Sequence, residues 1–485
     1  MNTTELRNEY LKIIENLPEL DQIGRESAAH YMCYSEAIYK DEVADFLYVP
    51  KLYTARERTH FQQIATTTLG ILEKIVKAYL DDPEYRTHFD FPKELEDLIL
   101  LDPGYSSAIP LIRIDIFYDE DSGDFKFCEF NTDGSSAMNE DREATNALAL
   151  TPSFEAFSAK LAHEGFTLEG FELFDSWVDT FLDIYADSVQ NAKNNINNRQ
   201  GAQGVRPTRL LPAKPNVVIS DFMDISTPVE IERFAKHFEA RGLQVEVCDI
   251  RDLRFEADSK SEPLLRTPSG MCVDALYRRA VTGDIMKHYE QVTDFLDAYR
   301  AGAFTLIGSF RTQLPHTKLS FEVLHLPQTL DLLTKEEVTF VQAHVPYTVR
   351  LSAELPVLDE IVQNKDVWII KPLDSYGSKG VWAGRELSKD AWEDLIRSSV
   401  VNQDHIAQKY IEQYSAPNLE SGFFLPAMKK PTPKDGLPAV RKYRDLTGLF
   451  VYGGQFKGLL ARAGLQDRIC AAAEGKCLGT YKVLD

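Results

Sequence analysis

The sequence predicts a mixed α/β protein, and three observations predict it. A two-faced hairpin pattern occupies 111–136, LIRIDIFYDEDSGDFKFCEFNTDGSS; short apolar strands alternate with helices over 216–310; and the first hundred residues carry helical stripes. At 485 residues the chain is long enough for two or three domains with sizeable cores, and its 44% hydrophobic and 26% charged content is that of a globular protein. A net charge of −22 argues against a general binder of nucleic acid or of an anionic membrane, because either would be repelled. Residues 411–485 depart from that balance, with 11 Lys+Arg against 7 Asp+Glu; the excess suits an anionic ligand and nearly as well a solvated tail.

Residues 1–104 read as a helical region that packs on the first sheet. Leu6, Tyr10, Ile13 and Ile14 share one stripe, and Ile64, Leu69, Leu72, Ile75 and Val76 share another. The opening MNTTELRNEYLKI is polar and has no targeting character, and no apolar run approaches the roughly 18 residues of a membrane span. Six scattered cysteines form no CxxC pair. The expectation is a reduced, cytoplasmic protein with no nucleic-acid or membrane partner.

In the hairpin, Ile112, Ile114 and Ile116 alternate with Arg113 and Asp115, and turn formers follow over 119–124. A turn near Ser122 sets Asp115 opposite Glu129 and Arg113 opposite Asn131, and puts Ile112, Ile114, Ile116, Cys128 and Phe130 on the apolar face. Facing carboxylates repel, so the pair needs a compensating charge, which a hard divalent cation such as Mg2+ would supply. An ordinary half-solvated hairpin, neutralised by water and Arg113, fits the same residues. On the repulsion argument, losing one carboxylate raises stability without metal by on the order of a few tenths of a kcal/mol. The turn Asn131 to Ser136 then opens a helix near 139, where free backbone N–H groups could meet an anion; many turns before helices look like this.

A second helical region covers about 152–190, and the Asn/Gln/Gly/Pro-rich 191–215 reads as a linker or surface loop. Strands at 216–220, 243–250, 273–281 and 304–310, with helices at 227–242 and 288–301, predict a parallel sheet in a unit spanning 216–317. Arg278-Arg279 ends one strand, where such sheets place ligands, although a salt bridge to a nearby acid such as Asp284 accounts for one arginine equally well. Beyond 318, VWIIKPLDSYGSKGVWAG gives strand, Lys371-Pro372, a Gly/Ser loop over 374–380 and a further strand, without P-loop spacing. IAQKYI (406–411) is a short strand, 415–440 a loop region, and 441–464 two strands joined at Gly453-Gly454.

Taken together, Arg113–Asp115…Glu129–Asn131, the Lys371–Gly380 unit, the AQKYI stretch and the terminal FKGLLAR resemble the ATP-grasp superfamily. The likeness is to its circularly permuted branch, the glutathionylspermidine synthase-like and type-2 permuted proteins. It covers roughly 105–485, with the metal carboxylates preceding the nucleotide lysines. The resemblance implies two parts of one ATP-grasp domain, a metal-site part at 105–190 and an ATP-binding part at 318–485. They flank the α/β pre-ATP-grasp unit at 216–317.

The resemblance also implies cofactors and roles. Asp115, Glu129 and Asn131 would ligate Mg2+ on ATP. Arg113 and Arg462 would be catalytic, stabilising charge on the transferring phosphoryl group. Lys318 and Lys371 would contact phosphates beneath the loop carrying Ser375, Gly377, Ser378 and Gly380. Gln408, Lys409, Tyr410 and Ile411 would line the adenine pocket, while Ser135 and Ser136 would hold substrate; Arg278 is a further substrate-binding candidate from its place at a strand end. The implied activity is an ATP-dependent, ADP-forming C–N ligase that joins a small carboxylate to an amine through an acyl phosphate. A nucleotide-binding or regulatory protein and a small-molecule phosphotransferase are the alternatives. No amidase segment is found, and the 216–310 unit departs from the synthase pattern, so neither amidase activity nor glutathione and spermidine as substrates is expected. The identity of the acid and amine, the oligomeric state and the roles of Cys470 and Cys477 stay open.

Overall fold

The computed structural model describes residues 2–39, 42–197, 210–257, 262–375, 377, 379–425, 430–434, 438–469 and 474–485. A six-stranded antiparallel sheet is central. Its order runs Lys476–Leu478, Gln455–Gly464, Arg441–Tyr452, Leu111–Tyr118 and Phe125–Asn131, with Ser415–Asn418 paired beside Arg441. The expected hairpin is therefore the edge of a sheet completed by the two strands joined at Gly453-Gly454.

One face of that sheet carries Ile112, Ile114, Ile116, Leu449 and Val451, packed with Ile64, Leu69, Leu72, Ile75 and Val76 of the helix Ala55–Asp81. That helix forms where the sequence stripe placed it, and it starts at Thr54, whose side chain and Glu57 cap each other's backbone N–H groups. The amino-terminal region is not wholly helical: Lys51–Tyr53 pairs with the carboxyl-terminal strand Thr480–Leu484, which in turn pairs with Thr167–Gly170. These strands are too short to show a period.

On the other face of the central sheet, Phe450, Tyr452 and Leu460 pack against Trp177 and Phe181 of the helix Phe174–Asn197. This helix runs past the expected boundary at 190 to Asn197; most of the expected linker, 198–209, lies outside the described residues. The parallel sheet is as expected, in the order Thr305–Ile307, Ala275–Arg278, Asn216–Asp221, Gln244–Asp249. A third sheet is antiparallel: Thr348–Arg350, His405–Lys409, Trp368–Pro372, Trp382–Ala383. The helix Lys389–Asn402, not anticipated, backs it through Trp392 and Ile396 against Trp368 and Ile370.

Among the described residues no helix is long and apolar enough to cross a membrane.

Candidate active site

The expected register is the observed one: Asp115 faces Glu129 and Arg113 faces Asn131. Between Asp115 and Ile116 the pairing shifts, so that Ile116 faces Phe127 and Cys128 is the extra residue of a bulge. Cys128 thus leaves the apolar face, and Phe127, 1% exposed, takes that place. The period-2 reading could not place the slip because Phe127 and Cys128 are both apolar.

Arg113 grips Asp115 with two parallel bonds, Nε to Oδ1 at 2.7 Å and Nη2 to Oδ2 at 2.9 Å, and its Nη1 donates to the Ser136 carbonyl at 2.8 Å. Asn131 Nδ2 lies 3.1 Å from Asp115 Oδ2 and 3.4 Å from Glu129 Oε1, so three polar groups converge. The positive charge that the facing carboxylates need is therefore present in the chain, as a bidentate arginine. That overturns the expectation that losing a carboxylate stabilises the fold, since Asp115 is 1% exposed and its loss would strand a buried guanidinium. Burial holds the Asp115 carboxyl above the usual range despite Arg113. For Glu129 burial is outweighed by Lys318, Lys371 and Arg113, and its carboxyl lies below.

The third sheet turns Lys371 and Gln408 toward this hairpin. Lys371 Nζ donates to Gln408 Oε1 at 2.8 Å and to the Cys128 carbonyl at 3.2 Å, and Gln408 Nε2 donates to Thr348 Oγ1 at 2.9 Å. Lys318 Nζ donates to the Ser375 carbonyl at 2.8 Å, at the root of the Gly/Ser loop. Burial pulls the Lys318 ammonium below its ordinary value, with Glu129 opposing. The Cys128 thiol beside these lysines is pushed up to about 12 by burial, which keeps it from serving as a thiolate nucleophile. Both lysines and both carboxylates, distant in sequence, thus share one site.

Arg462 lies on the same face of the central sheet, 3.3 Å from Glu140 Oε1, and its charge acts on Asp115. Other expected residues are placed differently. Arg278, 3% exposed, is enclosed: it pairs with Asp133 and donates to the carbonyls of Ala280, Gly308 and Ser309 and to the hydroxyls of Thr282 and Thr312. Its partner is Asp133, not Asp284, and no nitrogen remains for a substrate. Lys409 points to the opposite face of its strand from Gln408, 4.0 Å over the Trp368 ring and bonded to Glu360. The side chain of Tyr410 stacks under Arg385 and bonds Gln413, and Ile411 is half-buried two residues past the strand, which ends at Lys409 instead of at 411. Gly377 and Gly380 lie in the loop as expected; Ser378 and Cys470 lie outside the described residues.

Ser135 and Ser136 form the turn after Asn131, but the N–H groups that follow, of Ala137, Met138 and Asn139, already donate to Glu230 Oε2. Sequence reading also missed Gly448. A Cβ there would stand 2.7 Å from Asp115 Oδ1, so only glycine leaves room for the Arg113–Asp115 pair. No local signal marks either residue, because both act across the tertiary fold.

Among the described residues no three His, Cys, Asp or Glu side chains could together hold a metal. The set here is two carboxylates and an amide, oxygen donors of the kind Mg2+ prefers. A separate cavity of about 480 Å3, lined by Arg56, His60, Tyr118 and Gly123, opens at the hairpin's far tip and has no carboxylate in its lining.

The architecture is of the ATP-grasp type. The chain is similar to a glutathione synthetase-like effector from Globodera pallida in its apo form, at 12% identity and a TM-score of 0.53, over 96% of this chain and 97% of that one. That likeness establishes the fold. Lower-scoring matches are a putative gamma-glutamylcysteine synthetase from Methylobacillus flagellatus (9% identity, TM-score 0.34, 87% of this chain and 85% of that one) and a D-alanyl-alanine synthetase A from Vibrio cholerae (7%, 0.28, 56% and 88%). No family model matches the chain, and no curated protein matches it by sequence.

Proposed function

We propose that the chain is an ATP- and Mg2+-dependent, ADP-forming carboxylate–amine ligase acting on small molecules through an acyl phosphate. The observation that carries this reading is the meeting of Asp115, Glu129 and Asn131 with Lys318 and Lys371 in a fold of the ATP-grasp type. Since the carboxylate hairpin precedes both lysines in the chain, the circularly permuted arrangement is part of the proposal.

Asp115, Glu129 and Asn131 would hold Mg2+, which would supply positive charge to neutralise that of the phosphates. Lys371, tethered by Gln408 and the Cys128 carbonyl, keeps one N–H direction for a phosphate oxygen. Lys318, already facing Glu129, gains a further anionic partner when phosphate arrives, and that raises its proton affinity. Arg113 is bound to Asp115 on one edge, so it acts by fixing that carboxylate, while Arg462 stands nearer to free for the transferring group. The substrate carboxylate attacks the γ-phosphorus and displaces ADP; the amine then attacks the acyl carbon and displaces phosphate. Positioning and electrostatics supply the rate, with no side-chain nucleophile.

The test is ADP release with Mg2+ over pools of acids and amines, with hydroxylamine as a surrogate amine. Hydroxamate formed only with ATP, Mg2+ and an acid supports the reading. ADP release that yields a stable phosphorylated product without any amine replaces it with phosphotransfer.

A further inference from the structure

The helix Met138–Ala149 begins directly after the turn whose carbonyl Arg113 holds, and its first N–H groups would be expected to attract a ligand's anion. They are instead satisfied within the chain. Glu230, on the helix Pro228–Ala240 of the parallel unit, accepts with Oε2 from the N–H groups of Ala137 (3.0 Å), Met138 (2.8 Å) and Asn139 (3.3 Å). Its Oε1 accepts from Arg279 Nη2 at 2.9 Å. Arg279 in turn donates to the Ser135 carbonyl and, at 3.1 Å, to the Tyr277 hydroxyl. Glu230 is 4% exposed and Arg279 3%. Gly134 closes the joint: a Cβ there would meet the Arg279 carbonyl at 2.6 Å and Val281 at 2.8 Å, so the turn presses directly on the parallel unit.

The chain of contacts is continuous. Glu230 holds the helix start and Arg279; Arg279 holds the Ser135 carbonyl; Arg113 holds the Ser136 carbonyl with one nitrogen and Asp115 with the other two. A four-donor carboxylate with its own buried arginine is a stiff anchor, because removing it leaves several buried donors unpaired at once.

We infer that Glu230, with Arg279, is a positioning residue that sets the Arg113–Asp115 geometry from the parallel unit, and that it fills the helix terminus so that a ligand's anion is directed to Arg462 and the lysines. This rests on the ligase reading above. A displacement of about 1 Å in such a group can cost about 100-fold in rate.

The experiment compares the full-length wild type with Glu230→Gln, Glu230→Gly and Arg279→Lys. It measures kcat and KM for ATP by ADP release, and binding of Mn2+ with a non-hydrolysable ATP analogue by calorimetry, which needs no turnover. Glu230→Gln is expected to lower kcat about 100-fold and to weaken Mn2+ binding about tenfold, with KM for ATP within about threefold, because the lysines are untouched. Added formate restores kcat to Glu230→Gly and formamide does not, because a carboxylate charge is what pairs the helix start and Arg279; the split between kcat and KM and the Mn2+ binding separate positioning from a purely structural role.

Glu230→Gln with kcat and Mn2+ binding within about twofold of wild type overturns the inference alone. If that variant does not fold, Arg279→Lys decides: an unchanged kcat overturns the inference, and a fall with retained melting temperature supports it. A wild type that binds no Mn2+ with the analogue overturns the ligase reading and this inference with it.

Discussion

Replacing Gly448 with alanine tests the packing of the site without touching a charge. In an open strand the change stabilises by about 0.4–1 kcal/mol through the entropy of the unfolded chain. Here the new methyl would stand 2.7 Å from Asp115 Oδ1, 2.9 Å from Arg113 Cδ and 3.1 Å from Arg113 Cγ, against ordinary contact from 3.4 Å. Oδ1 must therefore yield about 0.7 Å, the difference between the first and last of those distances, and it is pinned by Arg113 Nε at 2.7 Å. Overpacking of this kind costs about 1–3 kcal/mol, so the net change is a destabilisation of about 1–2 kcal/mol. Under the proposed function the same shift moves a carboxylate that would hold Mg2+, and the expected rate loss approaches about 100-fold. Thermal melting and ADP release measure the two effects. Gly70, in the middle of the helix Ala55–Asp81 with nothing within 4 Å of its would-be Cβ, is the control. Gly70→Ala should stabilise by about 0.5–1 kcal/mol with activity unchanged. A Gly448→Ala protein that melts higher and turns over as the wild type refutes the reasoning.

Asp115→Asn should abolish Mg2+-dependent turnover and lower stability by about 3 kcal/mol, because Arg113 is left buried without its partner; a melt at or above wild type contradicts this. Asp133→Asn should cost a similar amount, about 3 kcal/mol, by stranding Arg278, and denaturant unfolding measures it. Asp445 lies buried with Lys51, which also pairs with Glu120, itself paired with Arg7; burial lifts its carboxyl to about 6 against the opposing Lys51. Being raised in the folded state, this group binds more protons folded than unfolded between about pH 4 and 6, so its contribution to stability falls as pH rises through that window. The difference in stability between wild type and Asp445→Asn should therefore drift by on the order of 2 kcal/mol from pH 4 to 6, in the direction of a relatively weaker wild type at pH 6; a flat difference contradicts it.

The hairpin was legible because its two strands carry strong alternation and a centred turn, which fix the register that sets Asp115 against Glu129. The strands Trp368–Pro372 and His405–Lys409 were legible from short apolar runs, but which side chains face the site was not. Gln408 and Lys409 are adjacent and polar, and only pairing to Trp368–Pro372 turns one inward and the other onto Trp368. Arg278 looked available because a buried ion pair leaves no trace in local sequence; Asp133, its partner, is 145 residues away and reads as part of a turn. The bulge at Cys128, the glycine at 448 and the carboxylate at 230 are products of packing between distant segments, where periodicity carries no information.

The central claim is that nucleotide phosphates and a divalent cation share the site of Asp115, Glu129, Lys318 and Lys371. It is tested most directly by the melting temperature of the full chain with a non-hydrolysable ATP analogue, with Mg2+, and with both, in wild type and Glu129→Gln. Ligands that bind the native state raise the melting temperature by mass action. The account predicts a large rise in the wild type only when both are present, and its loss in Glu129→Gln. No rise under any condition, or an equal rise in the variant, would contradict it.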